Sequence, residues 1–118
     1  MNKFKNLIIW KRAVELATEV YKVTKGFPDE EKYGLISQLR RCVVSISSNI
    51  AEGAGRNTDK DFNRFLSIAY GSSYELETQV IIAANLDYLE KSESDKLCAE
   101  IDELQKIIYS FSAQLSKQ

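Results

Sequence analysis

Leu35–Glu52, LISQLRRCVVSISSNIAE, is the stretch that decides the architecture. Leu35, Leu39, Val43, Ile46 and Ile50 recur at steps of four and three, the period of one face of an α-helix. The opposite side is polar. Gln38, Arg41, Ser45, Asn49, Glu52 and, past Gly53-Ala54-Gly55, Arg56 follow the same steps. Ser45, Ser47, Ser48 and Ala51 are small enough to let a neighbouring helix come close. The spacing predicts a helix from Glu30 or Tyr33 to Glu52, stopped by the two glycines.

Outward from this segment, three more helices and no strand are read. The first spans about Leu7 to Lys25, with Trp10, Ala13, Ala17, Val20 and Thr24 as its inward stripe and Leu16 and Val23 beside it. Gly26-Phe27-Pro28-Asp29 ends it, because proline cannot continue a helix. The third starts at Thr58, where Thr58-Asp59-Lys60-Asp61 resembles a capping box, and runs to about Leu86. Its stripe is Phe62, Phe65, Leu66, Ala69, Ser73, Leu76, Val80 and Ala83. The fourth opens on a Ser92/Asp95 cap, and Leu97, Ile101, Leu104, Ile108, Phe111 and Leu115 repeat at 4-3-4-3-4. Four helices of matched length with short connections imply an all-α, antiparallel up-down-up-down four-helix bundle. Trp10, Leu39, Ile46, Leu66, Leu76, Ile101 and Ile108 are its expected core.

Composition agrees. The chain of 118 residues is long enough for one core, and 44% hydrophobic with 28% charged residues is a globular balance. Residues 1–118 are expected to form one domain, with no linker, low-complexity tract or repeat. There is no histidine, which removes Ser-His-Asp triads, Cys-His dyads and His-ligated metals. Cys42 and Cys98 lack metal-ligand spacing and read as packed, reduced thiols. The longest uncharged apolar run, Val80 to Ala84, is far short of the roughly 18 residues that span a bilayer. With no signal peptide visible, a cytoplasmic protein without membrane association is expected.

Net charge is −1, but residues 1–64 carry +4 and residues 65–118 carry −5. That asymmetry marks either a polyanion-binding face or a self-complementary surface. Lys3, Lys5, Lys11, Arg12, Arg40, Arg41, Arg56 and Arg64 are the nucleic-acid candidates. Gln38, Arg41, Ser45, Asn49 and Glu52, with Ser72 and Glu75 from the third helix, are the candidates for a buried polar network or an interface. Ile68 and Ile82 lie outside the core stripes and are available for self-association. Gly53–Thr58 superficially resembles a phosphate loop. It lacks the Gly-Lys-Ser/Thr ending and follows a helix, so a helix stop and a capped start is the better reading. Tyr70 and Tyr74 share a helix face, read as packing or an oligomer contact. No nucleophile–base pair, paired carboxylates or cofactor motif stands out. A non-enzymatic protein with no cofactor, metal or small-molecule substrate is expected.

Several blocks carry a family resemblance. They are Trp10 with Ala13 and Leu16, Val20-Tyr21, Phe27-Pro28 and Tyr33-Gly34-Leu35. Gln38-Leu39-Arg40-Arg41, Ser45-Ile46 and Asn49-Ile50-Ala51-Glu52-Gly53 with Arg56 are the most distinctive. Phe62, Phe65-Leu66, Ala69, Gly71-Ser72 and Glu75-Leu76 continue the match. Over about residues 9–88 the chain resembles the four-helix bundle proteins encoded in intervening sequences of bacterial 23S rRNA genes, a family also labelled ribosomal. Cys42 departs from the alanine expected there. The resemblance implies a bundle that assembles into a homopentameric ring. The related accessory protein of diversity-generating retroelements has that form, with a basic surface implicated in nucleic-acid binding. Two readings stay open. The ring binds RNA or DNA through the basic candidates, or its charged edges serve self-assembly and a protein partner only.

Overall fold

The computed structural model describes residues 4–117. Four α-helices follow one another: α1 Ile8–Thr24, α2 Leu35–Ala54, α3 Asp59–Asn85 and α4 Lys91–Ser116. Short 3₁₀ turns lie at Phe4–Asn6 and Asp29–Glu31, and no strand occurs among the described residues. Sequence neighbours pack together and α1 closes the ring against α4, which gives the up-down-up-down bundle, 46 × 22 × 20 Å. The α2–α3 contact is the most extensive.

Apolar periodicity located three of the four inward faces. Leu35, Leu39, Val43, Ile46 and Ile50 of α2 are buried, as are Leu66, Ala69, Leu76, Val80 and Ala83 of α3 and Leu97, Ile101, Leu104 and Ile108 of α4. On α1 the expected Ala13, Val20 and Thr24 face inward, but Ile9 and Leu16 take the places expected for Trp10 and Ala17. Trp10 is not a core residue; it is half-buried, with its ring edge-on to Phe4 at 5.1 Å. The Phe4–Asn6 turn supplies an aromatic cover at the margin, so the large indole packs there and the smaller Ile9 and Leu16 fill the interior.

The helices are not matched in length: α1 and α2 have 17 and 20 residues, α3 and α4 have 27 and 26. At about 1.5 Å per residue the second pair is roughly 10 Å longer. The α1–α2 connection helps fill the difference at one end. Phe27 is buried there, 5.4 Å from the Tyr88 ring. Glu31 joins three elements: its Oε1 accepts from the Leu35 amide at 3.0 Å and its Oε2 from the Tyr88 hydroxyl at 2.9 Å. An orphan amide at the start of α2 is thereby satisfied by a side chain. At the other end Phe62 and Phe111 pack at 5.4 Å, and Asn63 bonds Ser112 and Ser116 of α4 at 2.7 and 2.9 Å.

Thr58 caps α3 as expected, its hydroxyl accepting from the Asp61 amide at 3.1 Å. The cap of α4 lies two residues before Ser92. Glu93 accepts from the Glu90 amide at 3.3 Å, and Asp95 instead pairs with Lys91 at 2.9 Å. Asp87 closes α3 in the left-handed region at φ 62°. The Asp87 and Tyr88 amides bond back to Ala84 and Ala83, both at 3.0 Å, the paired bonds of a Schellman end.

Gly53 does not stop α2. The helix continues to Ala54, and Gly53 is buried against α3. A Cβ there would lie 2.8 Å from Phe65 Cβ, 2.9 Å from Phe62 Cδ1 and 3.2 Å from the Phe62 carbonyl oxygen. Two of those atoms are fixed to the α3 backbone, so the helices must move apart to admit a methyl group. Gly53→Ala gains about 1 kcal/mol of helix propensity but incurs overpacking of about 1–3 kcal/mol, and the rigid neighbours favour the upper part of that range. A net loss of about 1–2 kcal/mol is expected in urea denaturation; an unchanged or raised midpoint would show that α2 and α3 need not touch here.

Candidate functional site

The polar side of α2 meets α3 in an open cleft of about 670 Å³, lined by Gln38, Arg41 and Ser45 from α2 and by Ser72, Glu75 and Gln79 from α3, among others. Small side chains form its floor. The Ser45 and Ser72 hydroxyls are 3.2 Å apart, and Asn49 donates to the Ser45 carbonyl at 2.8 Å and to its hydroxyl at 3.1 Å. The Cys42 thiol donates to the Ser72 carbonyl at 3.1 Å. Six of the seven expected network residues, Gln38, Arg41, Ser45, Asn49, Ser72 and Glu75, thus lie on or beside one cleft. Glu52 is drawn away to the helix end by Arg56, at 3.2 Å. Gln79, absent from the sequence-derived list, is buried with its Oε1 lacking a hydrogen-bond partner.

The arginines divide sharply. Arg12 pairs with Glu103 at 3.2 Å and Arg64 lies 3.8 Å from Asp61. Arg40 donates to the buried Thr24 hydroxyl at 2.9 Å and stacks its guanidinium 4.7 Å from the Tyr21 ring. Arg56 and Arg64 flank the Phe65 ring at 4.6 and 5.1 Å. Arg41 alone among the arginines has no ion pair, hydrogen bond or ring contact among the described residues, and Glu75 has no ion pair there either.

The eight basic candidates do not form one patch. Lys3 lies outside the described residues. Lys5 in the Phe4–Asn6 turn and Lys11 in the first turn of α1 lie at the bundle end that holds Arg56 and the start of α3 with Arg64. Arg40 and Arg41 sit about 22 Å further along α2, and Arg12 is committed to α4.

A second pattern on α3 escaped the sequence reading. Arg64, Ile68, Gly71, Glu75, Thr78 and Ile82 are all exposed and repeat at 4-3-4-3-4, the spacing of a helix–helix seam. Ile68 and Ile82 expose 46% and 44% of their surface on that crest, and no atom lies within 4 Å of where a Gly71 Cβ would stand. The stronger buried stripe hid it, because a period of 3.5 on one side of a long helix is matched by the same period on the other. Scoring each face separately would have found it.

Among the described residues no group of three or more His, Cys, Asp or Glu side chains is placed to hold a metal, and no helix is long and apolar enough to cross a membrane. Cys42 and Cys98 are both free thiols.

The family model for 23S rRNA-intervening sequence protein matches residues 5–110. The crystal structure of a protein with unknown function from the S23 ribosomal protein family, from Bacteroides thetaiotaomicron VPI-5482, superposes with a TM-score of 0.80. Identity is 20%, over 89% of this chain and 98% of that one, so the likeness concerns the fold. No curated protein matches the chain.

The Cys42 thiol is pushed up from 9.0 to about 12, chiefly by burial and then by the neighbouring Glu75 carboxylate. A folded-state value above the unfolded one means that the retained proton stabilises the fold fully below pH 9. That contribution is lost as pH rises through about 12. Urea midpoints are therefore expected to fall above pH 9, and to fall less steeply in Cys42→Ala. Parallel profiles for parent and variant would contradict the assignment.

Proposed function

This chain belongs to the 23S rRNA-intervening sequence protein family, and on that footing we propose that it is a non-enzymatic, cytoplasmic bundle that assembles with copies of itself. The contact face is the outer crest of α3 with the adjoining α2–α3 cleft. One observation carries the reading: six exposed residues of α3, Arg64 to Ile82, keep a helix-seam spacing with isoleucines towards both ends and a glycine between. A glycine inside a helix costs about 1 kcal/mol relative to alanine. No described residue requires it at Gly71, whereas close approach by another backbone would. Arg41 and Glu75, which lack ion-pair partners among the described residues, supply charges for a neighbour to match.

The +4 and −5 halves suit head-to-tail contacts, which close into rings when the rotation fits. Five copies is the ring size the family resemblance suggests. The exclusion of enzyme chemistry rests on the sequence, which has no histidine and no recognisable nucleophile–base pair.

Binding of RNA or DNA is the second reading. Its support is the grouping of Lys5, Lys11, Arg56 and Arg64 at one end of the bundle, where a ring would repeat them and raise avidity. The self-assembly reading stands ahead of it because Arg12, Arg40, Arg56 and Arg64 already serve internal contacts. A protein partner on the assembled surface is compatible with either.

Sedimentation at micromolar concentration and physiological salt is the test. The parent is expected to be oligomeric, and Ile68→Glu and Gly71→Leu monomeric with unchanged helicity. A monomeric parent refutes the proposal. For the second reading, titration with structured RNA at two salt concentrations is expected to show affinity falling with salt. The slope should become shallower by about 0.7–0.9 per phosphate contact removed in Lys11→Ala or Arg64→Ala. No binding at low salt removes that reading.

A further inference from the structure

The opposite groove, between α3 and α4, has a different chemistry. Tyr70 and Tyr74 of α3 and Tyr109 of α4 line a cleft of about 550 Å³ with Asp102, Gln105 and Lys106. Tyr74 and Tyr109 expose 48% and 65% of their surface. The Tyr70 and Tyr74 rings stand nearly perpendicular, centroids 5.2 Å apart, with their hydroxyls hydrogen-bonded at 3.1 Å. Tyr109 tilts by 45° at 6.1 Å from Tyr70. Three ring faces in different planes therefore converge, two of them locked together before anything binds.

Elsewhere the chain sets its own cations over ring faces, those of the exposed Tyr21 and Tyr33 and of the buried Phe65. Arg40 lies over Tyr21, Lys32 over Tyr33, and Arg56 and Arg64 over Phe65. No described cation lies over Tyr70, Tyr74 or Tyr109. Lys106, the nearest cation in the cleft lining, is held by Asp102 at 3.1 Å. Glu77 borders the same groove and accepts from Gln105 at 3.2 Å. The cluster also sits in the half of the chain that carries −5. Electron-rich ring faces beside carboxylates select a flat, weakly hydrated cation, because the ring quadrupole attracts the charge and a guanidinium plane can lie against a ring.

We propose that Tyr70, Tyr74 and Tyr109, with Asp102 at the edge, receive the guanidinium group of an arginine on a partner protein. This site is separate from the α3 crest and does not depend on the self-assembly reading.

The test titrates the full chain with a capped Gly-Arg repeat hexapeptide and follows the tyrosine ring signals by NMR. Shifts confined to Tyr70, Tyr74 and Tyr109 are expected. Tyr109→Leu should weaken binding by about twofold to thirtyfold, the range of a cation–ring contact, while Tyr109→Phe should retain it. The Gly-Lys peptide should bind more weakly than the Gly-Arg peptide. Four outcomes would overturn the proposal: equal binding of the lysine peptide, undiminished binding by Tyr109→Leu, movement of the same rings by an RNA oligonucleotide instead, or loss of the oligomer in Tyr109→Leu, which would make a second copy the occupant.

Discussion

The rest of the bundle is arranged around the close approach of α2 and α3 at Gly53. Without a side chain there, the α2 backbone lies against Phe62 and Phe65, closer than any β-carbon would allow. Small residues continue the approach along the same pair, with the Ser45 and Ser72 hydroxyls meeting at 3.2 Å. Close packing of this kind gives dense dispersion contact and leaves little tolerance for added volume. It also seats Phe65 where Arg56 and Arg64 can flank its ring. One missing methyl group thus fixes a helix pair and orders two cations beside it.

That pairing turns a polar helix face into a cleft. Burial raises the Cys42 thiol, and the neighbouring Glu75 carboxylate adds to the effect. The hydroxyl and amide groups of Ser45, Asn49 and Ser72 satisfy one another, as partly buried polar groups must. Arg41 and Glu75, at the mouth, are left without ion-pair partners among the described residues. Hydrogen bonding is met among the serines and Asn49 but not at the buried Gln79 Oε1, and the unmatched charge lies at the opening.

The two outer sides of α3 then differ in kind. Towards α2 the crest alternates isoleucine, small residues and charge, which suits another helix. Towards α4 three tyrosines gather beside carboxylates, which suits a cation. A 27-residue helix in a four-helix bundle has one face in the core and the rest of its circumference to spend, and here the two flanks carry distinct chemistry.

The sequence alone determined the helices, their order and the antiparallel bundle, because a buried stripe must repeat at the helix period and short connections force neighbours to reverse. It placed most of the core and brought Ser45, Asn49, Ser72 and Glu75 into one neighbourhood, since residues at steps of three and four share a face. Tertiary structure decided what periodicity cannot encode. On α1 the inward stripe kept Ala13, Val20 and Thr24 but took Ile9 in place of Trp10 and Leu16 in place of Ala17, with Phe4 folded against the indole at the margin. Gly53 reads locally as a helix stop and is a packing residue only because Phe62 and Phe65 stand opposite. Glu31 joins the start of α2 to Tyr88, 57 residues away in sequence. Which arginines stay unpaired was likewise settled in three dimensions, because an ion pair such as Arg12–Glu103 depends on distances between helices that a one-dimensional spacing does not contain.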